Sequence, residues 1–182
     1  FPSYTRDVEK AKELLAEAGH PDGVQFTIKT ASTYPYMVDT AVTLQHQLSE
    51  AGFRTSIELV EWGAYIDAWS NTDHQALVGL NGSGVTPDRA LHFFFHSGGT
   101  ANVWGMNDPT FDSLVEQARL TTDLEARHAL YADAQRLLVN EVVPNLFLNS
   151  PYSFFAVQSS VQDFNPTAST SERLFKQVSL AQ

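Results

Sequence analysis

The sequence predicts an α/β fold, a layered sheet with helical crossovers, and three observations carry that expectation. Short runs whose apolar residues recur every second position alternate with longer runs of helical spacing through the first half of the chain. Glycine and proline punctuate the boundaries between these runs. The composition, 43% hydrophobic and 18% charged over 182 residues, is that of one globular domain whose core needs no metal or disulfide staple.

The elements follow in order. Residues 7–19 put Val8, Ala11, Leu14, Leu15 and Ala18 on one helical face, with Asp7 placed to cap the start and Gly19 to stop the end. After the turn His20-Pro21-Asp22-Gly23, Val24, Phe26 and Ile28 alternate with Gln25, Thr27 and Lys29 as in a strand. Residues 35–51 return to helical spacing through Val38, Ala41, Leu44 and Leu48, and Gly52 ends that helix. Residues 53–60 read as a second strand and 62–69 as a short helix. Residues 75–80 form a third strand leading into the glycine-rich Asn81-Gly82-Ser83-Gly84.

Beyond that loop the chain turns helical at 87–95. Asp108-Pro109 opens the next helix as N-cap and first-turn proline, with Phe111, Leu114, Val115 and Ala118 as its apolar stripe. Thr122 and Glu125 match a capping box for a helix that carries Leu130, Ala134, Leu137 and Leu138 to about Glu141. Residues 143–148 and 153–157 have strand character and are divided by Pro151. Residues 174–180 alternate as a strand with no evident partner, which suggests an incomplete protein.

Charge and composition exclude several functions. With 21 acidic against 11 basic residues, a net charge of −10 and no basic run, the chain is not expected to bind nucleic acid. Cysteine is absent, which removes disulfides, thiol nucleophiles and cysteine-based metal sites. No apolar stretch approaches the ~20 residues of a membrane span, and Phe1-Pro2-Ser3-Tyr4 is unlike an export leader. Either the protein is cytosolic or its export signal lies outside this chain.

An enzyme is not expected, and no cofactor is implied. There is no nucleophile elbow, no His-Glu-x-x-His pair and no phosphate loop with its lysine. Asp112 and Glu116 share a helical face that reads as the solvated side. Asp88, His92 and His96 fall at i, i+4 and i+8, a plausible metal set by residue type. Eight residues span about 12 Å of helix, too far for all three to reach one ion at ~2 Å, so no metal site is expected.

Three separated runs carry a resemblance. The first is Tyr4-Thr5-Arg6-Asp7-Val8-Glu9-Lys10-Ala11, continuing through Leu14-Leu15, Ala18-Gly19 and Pro21-Asp22-Gly23. The second covers Leu48-Ser49-Glu50-Ala51-Gly52-Phe53 and Val60-Glu61-Trp62. The third is Asn107-Asp108-Pro109-Thr110-Phe111-Asp112, with Ala118-Arg119, Thr122-Asp123, Arg127, Tyr131, Ala134-Gln135 and Pro144. Together, and in this order, they resemble the family 5 extracellular solute-binding proteins of ABC importers, which include dipeptide, oligopeptide and nickel receptors.

That resemblance implies a periplasmic-binding-protein type II lobe, a mixed sheet flanked by helices. It makes residues 1–182 the second lobe of a two-lobed protein and residues 172–182 a return strand towards the missing first lobe. The implied partners are a small-molecule or peptide ligand, that N-terminal lobe and the ABC transporter membrane subunits. The implied location is periplasmic or extracytoplasmic and membrane-anchored. A transcription regulator with a similar sensor domain in the cytosol is the alternative, and a helix-turn-helix upstream would select it.

In open α/β sheets, ligands bind beyond the carboxyl ends of the strands. The loop at 79–88 lies there, so Leu80, Asn81, Gly82 and Ser83 are candidate ligand contacts. In peptide-binding relatives this loop supplies an aspartate for the ligand's terminal ammonium, and the resemblance puts Ser83 at that position and Thr86 where another aspartate usually precedes Pro87. A hydroxyl accepts a hydrogen bond from an ammonium but cannot neutralise it. The expected solute therefore lacks that charged amine, or pairs it with the absent lobe. Trp62, Trp104 and Tyr36 are the aromatic candidates, with Tyr34 and Tyr65 beside them as packing residues.

Overall fold

The computed structural model describes residues 5–79, 86–149, 152, 154–166 and 177–181. It opens with helix α1 (Val8–Glu17), strand β1 (Gln25–Ala31), helix α2 (Pro35–Glu50), strand β2 (Arg54–Val60), helix α3 (Trp62–Ser70) and strand β3 (Ala76–Val78). Three further helices follow, α4 (Pro87–Phe95), α5 (Pro109–Leu120) and α6 (Leu124–Leu137), the last running into a π-turn at Leu138–Val142. Two short strands, β4 (Val161–Gln162) and β5 (Ser179–Leu180), complete the order.

The main sheet has the order β2-β1-β3 and is parallel throughout, with Ile28 level with Ile57 on one side and Ala76 on the other. Antiparallel pairing is confined to the separate β4–β5 ribbon, so the mixed character expected of the sheet is divided between two sheets among the described residues. Successive side chains of a strand face opposite ways. On one face Ile28 and Val78 pack with Ala41, Leu44 and Leu48 of α2, and on the other Ala31 and Leu77 pack with Tyr65 and Trp62 of α3. Helices thus cover both faces, as parallel strands require. Thr30, fully buried in β1, is satisfied by donating its hydroxyl hydrogen to the Val78 carbonyl at 3.1 Å.

Both helices that feed the sheet end in the same way. His20 N–H donates to Leu15 C=O and Gly19 N–H to Ala16 C=O, while Phe53 N–H donates to Leu48 C=O and Gly52 N–H to Ser49 C=O. Each is a Schellman turn with glycine in the left-handed conformation, at φ +85° for Gly19 and +97° for Gly52. The turn that follows the first of these, closed by Gly23 N–H donating to His20 C=O, packs on the second, because a Cβ on Gly23 would lie 1.8 Å from the Gly52 carbonyl oxygen. That contact sets the start of the β1–β2 register, where Arg54 N–H donates to Val24 C=O at 2.8 Å.

The second half is a helical layer. Phe111, Val115 and Ala118 on α5 are fully buried against Leu91, Phe94 and Phe95 of α4 and Tyr131 and Ala134 of α6. Trp69 of α3 packs on this cluster, and Thr72 donates to the Val103 carbonyl, joining the two halves.

Five expectations are corrected. Asp123, not Thr122, caps α6, with its carboxylate accepting from Ala126 N–H at 2.9 Å. Asp112 is not on a solvated face: its side chain is 17% exposed and accepts from Ser97 N–H. Residues 143–148 form no strand. The π-turn ends on Val143 in the left-handed region at φ 44°, and the chain beyond it is irregular. The described residues of 154–157 form no strand either, while Ser153 lies outside the described residues. The 174–180 run does have a partner, since Ser179–Leu180 pair with Val161–Gln162; residues 174–176 lie outside the described residues.

Candidate functional site

All three parallel strands deliver an aromatic or glycine residue to one place at their carboxyl ends. β1 is followed by Tyr34, the N-cap position of α2; β2 by Trp62, the first residue of α3; and β3 by Gly79. Tyr65, one turn into α3, lies beneath them. Trp62 stacks on Tyr65 with ring centres 5.2 Å apart and planes 10° from parallel, and meets Tyr34 edge-on at 5.1 Å. Tyr36 tilts against Tyr34 at 5.8 Å.

Burial grades across this cluster. Tyr65 is buried at 4% exposure, Trp62 and Tyr34 are half-buried, and Tyr36 is 50% exposed. The inner rings anchor the outer ones, so a flat apolar surface is held at the sheet edge with little conformational entropy left to lose on binding. Desolvation, and then the neighbouring Tyr36, raises the Tyr65 phenol to about 12; desolvation, and then Tyr34, raises that of Tyr36. Both phenols therefore stay protonated and able to donate hydrogen bonds in neutral solution. Glu61 caps its own helix by accepting from Gly63 N–H, whereas α2 has no side-chain cap.

The sequence candidates divide accordingly. Trp62 and Tyr36 are brought together through Tyr34. Trp104 is elsewhere: it packs in the helical core and stacks on Phe95 at 6.4 Å, in a loop closed by reciprocal Asn102–Met106 hydrogen bonds. Its indole Nε1 is buried with no hydrogen-bond partner among the described residues. Leu80, Asn81, Gly82 and Ser83 lie outside the described residues, as do Gly84 and Val85. Thr86 at the loop's far side is the N-cap of α4, its Oγ1 accepting from Arg89 N–H. Tyr34 and Tyr65, read as packing residues, are the centre of the cluster. Their only sequence signal is position, each within a few residues of a strand's end.

Asp88, His92 and His96 do share one face of α4, and α5 engages each of them. Arg119 pairs with Asp88 at 2.9 Å and donates to His92 Nε2 at 3.0 Å, and His96 Nε2 meets Glu116 at 3.1 Å. The two imidazoles stack at 4.3 Å. Burial, then the Arg119 and His96 charges, lower the His92 pKa from its ordinary 6.5. Among the described residues no three His, Cys, Asp or Glu side chains are disposed to hold a metal ion, and no helix is long and apolar enough to cross a membrane.

Solved structures share this fold. The chain superposes on the ABC transporter-associated periplasmic binding protein DppA from Helicobacter pylori, solved in complex with the peptide STSA. The TM-score is 0.86 at 31% identity, over 100% of this chain and 36% of that one. It also superposes on AgaA of A. tumefaciens R10, solved with agropinic acid, with a TM-score of 0.66 at 29% identity over 76% of this chain and 29% of that one. The fold is that of a type II periplasmic binding protein. Di/tripeptide-binding protein 1 of Pseudomonas aeruginosa is 32% identical over 168 residues, 87% of this chain and 30% of that protein. Residues 1–102 match the model of the bacterial extracellular solute-binding proteins, family 5 Middle, and the chain belongs to that family. It spans no more than 36% of the length of these relatives.

Proposed function

We propose that this chain is the ligand-binding second lobe of an extracellular solute-binding protein, which captures a peptide-like or other small solute outside the cytoplasm and delivers it to an ABC transporter without chemical turnover. The single observation that carries the reading is the convergence of Tyr34, Trp62, Tyr65 and Gly79 at the carboxyl ends of three parallel strands. A rigid aromatic shelf with protonated phenols suits an apolar side chain or a planar backbone amide, and closure of a second lobe over it would complete the enclosure. Relatives that carry peptide names or bound peptides support that solute class. With Ser83 in place of an aspartate, the solute's amine is not neutralised from this lobe.

Titration calorimetry and tryptophan fluorescence on the full-length protein test the reading. A panel of di- and tripeptides, N-acetylated peptides and small organic acids should contain a ligand binding at micromolar affinity or tighter, and Trp62→Ala should weaken it at least about tenfold. Tight binding of dipeptides that requires a free amine would overturn a solute without that amine and assign its charge to the other lobe. Turnover of a bound ester or peptide would overturn the passive role.

A further inference from the structure

The sheet face that carries the aromatic shelf at its carboxyl end is polar at its other end. Three rows cross β1 and β2 on that face: Thr27 lies level with Ser56, Lys29 with Glu58 and Ala31 with Val60. The apolar cluster of α3 on this face involves Ala31, Val60 and Leu77, which leaves the first two rows to the turn from α3 to β3. Between that turn and the strands lies a cleft of about 400 Å³ whose lining side chains are all polar. Its size is that of a small-molecule site.

The walls are held by hydrogen bonds among themselves. Gln75 Oε1 accepts from Thr27 N–H at 2.8 Å, the Thr27 and Ser56 hydroxyls bond each other at 2.9 Å, and His74 Nδ1 meets the Ala68 carbonyl at 3.3 Å. Thr72 holds a left-handed φ of 55°, costly for a β-branched residue, and its hydroxyl donates to Val103 C=O at 3.0 Å. Lys29 is central, with a side chain only 14% exposed. It donates to Asp73 C=O at 2.8 Å, whereas the Asp73 and Glu58 carboxylates stand at 3.7 and 3.8 Å, beyond hydrogen-bond length. Two of its three N–H donors are therefore unspent among the described residues, beside two carboxylates that can still accept.

This pattern selects by charge. A free cation would meet Lys29, and a free anion would meet Glu58 and Asp73. A hydroxyl both accepts and donates, so neighbouring hydroxyls of a neutral polyol can accept from Lys29 while donating to the carboxylates. Thr27, Thr72 and Gln75 add neutral partners of the same kind. We propose that this cleft is a second binding site, separate from the aromatic shelf, for a saccharide held by Lys29, Glu58 and Asp73. No Phe, Tyr or Trp lines it, so it lacks the large apolar contact area of the shelf and binds weakly, in the millimolar range. The proposal does not depend on the solute taken by the shelf.

Saturation-transfer NMR on the full-length protein, with methyl glucoside, N-acetylglucosamine and maltose as probes, tests it. At least one probe should show saturable binding at millimolar concentration. Lys29→Met and Glu58→Gln should each weaken it about fivefold or more, the fold-change of one or two lost hydrogen bonds. The Glu58 side chain is 49% exposed, so Glu58→Gln should keep the parent melting temperature and report on the cleft alone. Trp62→Ala should leave saccharide binding intact. Binding that survives both cleft variants would overturn the proposal, and its loss in Trp62→Ala would place the saccharide on the shelf instead. No signal from any saccharide at tens of millimolar would also overturn it, as would binding of free amino acids in their place, which would assign the cleft to a zwitterion.

Discussion

The hydroxyl of Tyr65 occupies the space that any side chain at position 79 would need: a Cβ on Gly79 would lie 1.9 Å from Tyr65 Oη and 3.1 Å from Cζ. Because Tyr65 also stacks under Trp62, this close approach ties the end of β3 to the aromatic shelf.

Gly79→Ala should therefore push the Tyr65 ring off its stack and destabilise the protein by about 1–3 kcal/mol, the range for overpacking a filled site. Tyr65→Phe, which removes the hydroxyl but keeps the ring, should recover part of that loss in the double variant. Chemical denaturation of the four proteins in a double-mutant cycle measures it. Additive losses would show that the two residues do not share the space.

Burial of Tyr65 has a consequence at high pH. Its phenol, ordinarily at 10.0, is raised to about 12 by desolvation and then by Tyr36, so between these values the folded protein holds a proton that the unfolded chain has lost. Stability from this group is complete below about 10 and falls as pH rises towards 12. Thermal melts across that window should show a downward slope that Tyr65→Phe reduces.

His92 acts in the opposite window. Burial first, then Arg119 and His96, lower its pKa below 6.5, outweighing the raising effect of Asp88 and Glu116. The unfolded chain thus takes up the proton before the folded one, and stability declines as pH falls below 6.5. Arg119 can only donate, so its bond to His92 Nε2 also needs the neutral imidazole. His92→Gln should flatten the pH dependence of the melting temperature below 6.5, and an unchanged slope would assign it to other groups.

Gly23 and Gly19 have similar backbones, φ +82° and +85°, and different surroundings. Gly19→Ala meets nothing within 4 Å and should cost about 1–2 kcal/mol for the left-handed conformation alone. Gly23→Ala drives a Cβ into the Gly52 carbonyl and should cost at least about 3 kcal/mol. Equal losses in denaturant unfolding would mean that the close approach of Gly23 to Gly52 is unimportant.

Much of the fold was legible because its signals are local. Capping by Asp7 and Asp108, prolines in the first turns of α2, α4 and α5, and glycines after α1 and α2 are each decided within a few residues, and the helices lie close to where those signals put them. The cap of α6 was misplaced by one residue because Thr122 and Asp123 both qualify and only the path of the chain chooses. Residues 143–148 have the composition of a strand, but a strand also needs a neighbour to pair with, which local composition does not specify.

The candidate site was legible in part. Trp62, Tyr36 and Trp104 are all candidates because they fall in or near loops, but only the first two lie beyond strand ends, and the loop of Trp104 faces the helical core. By itself the sequence determined the alternation of strand and helix, the helix termini, the absence of cysteine chemistry and the family, all of which depend on neighbours along the chain. Tertiary structure alone decided the strand order β2-β1-β3, the stacking of Trp62 on Tyr65 against Gly79, and the engagement of Asp88, His92 and His96 by α5. These are contacts between residues distant in sequence, fixed by how apolar faces of different elements share one interior, and no local period encodes them.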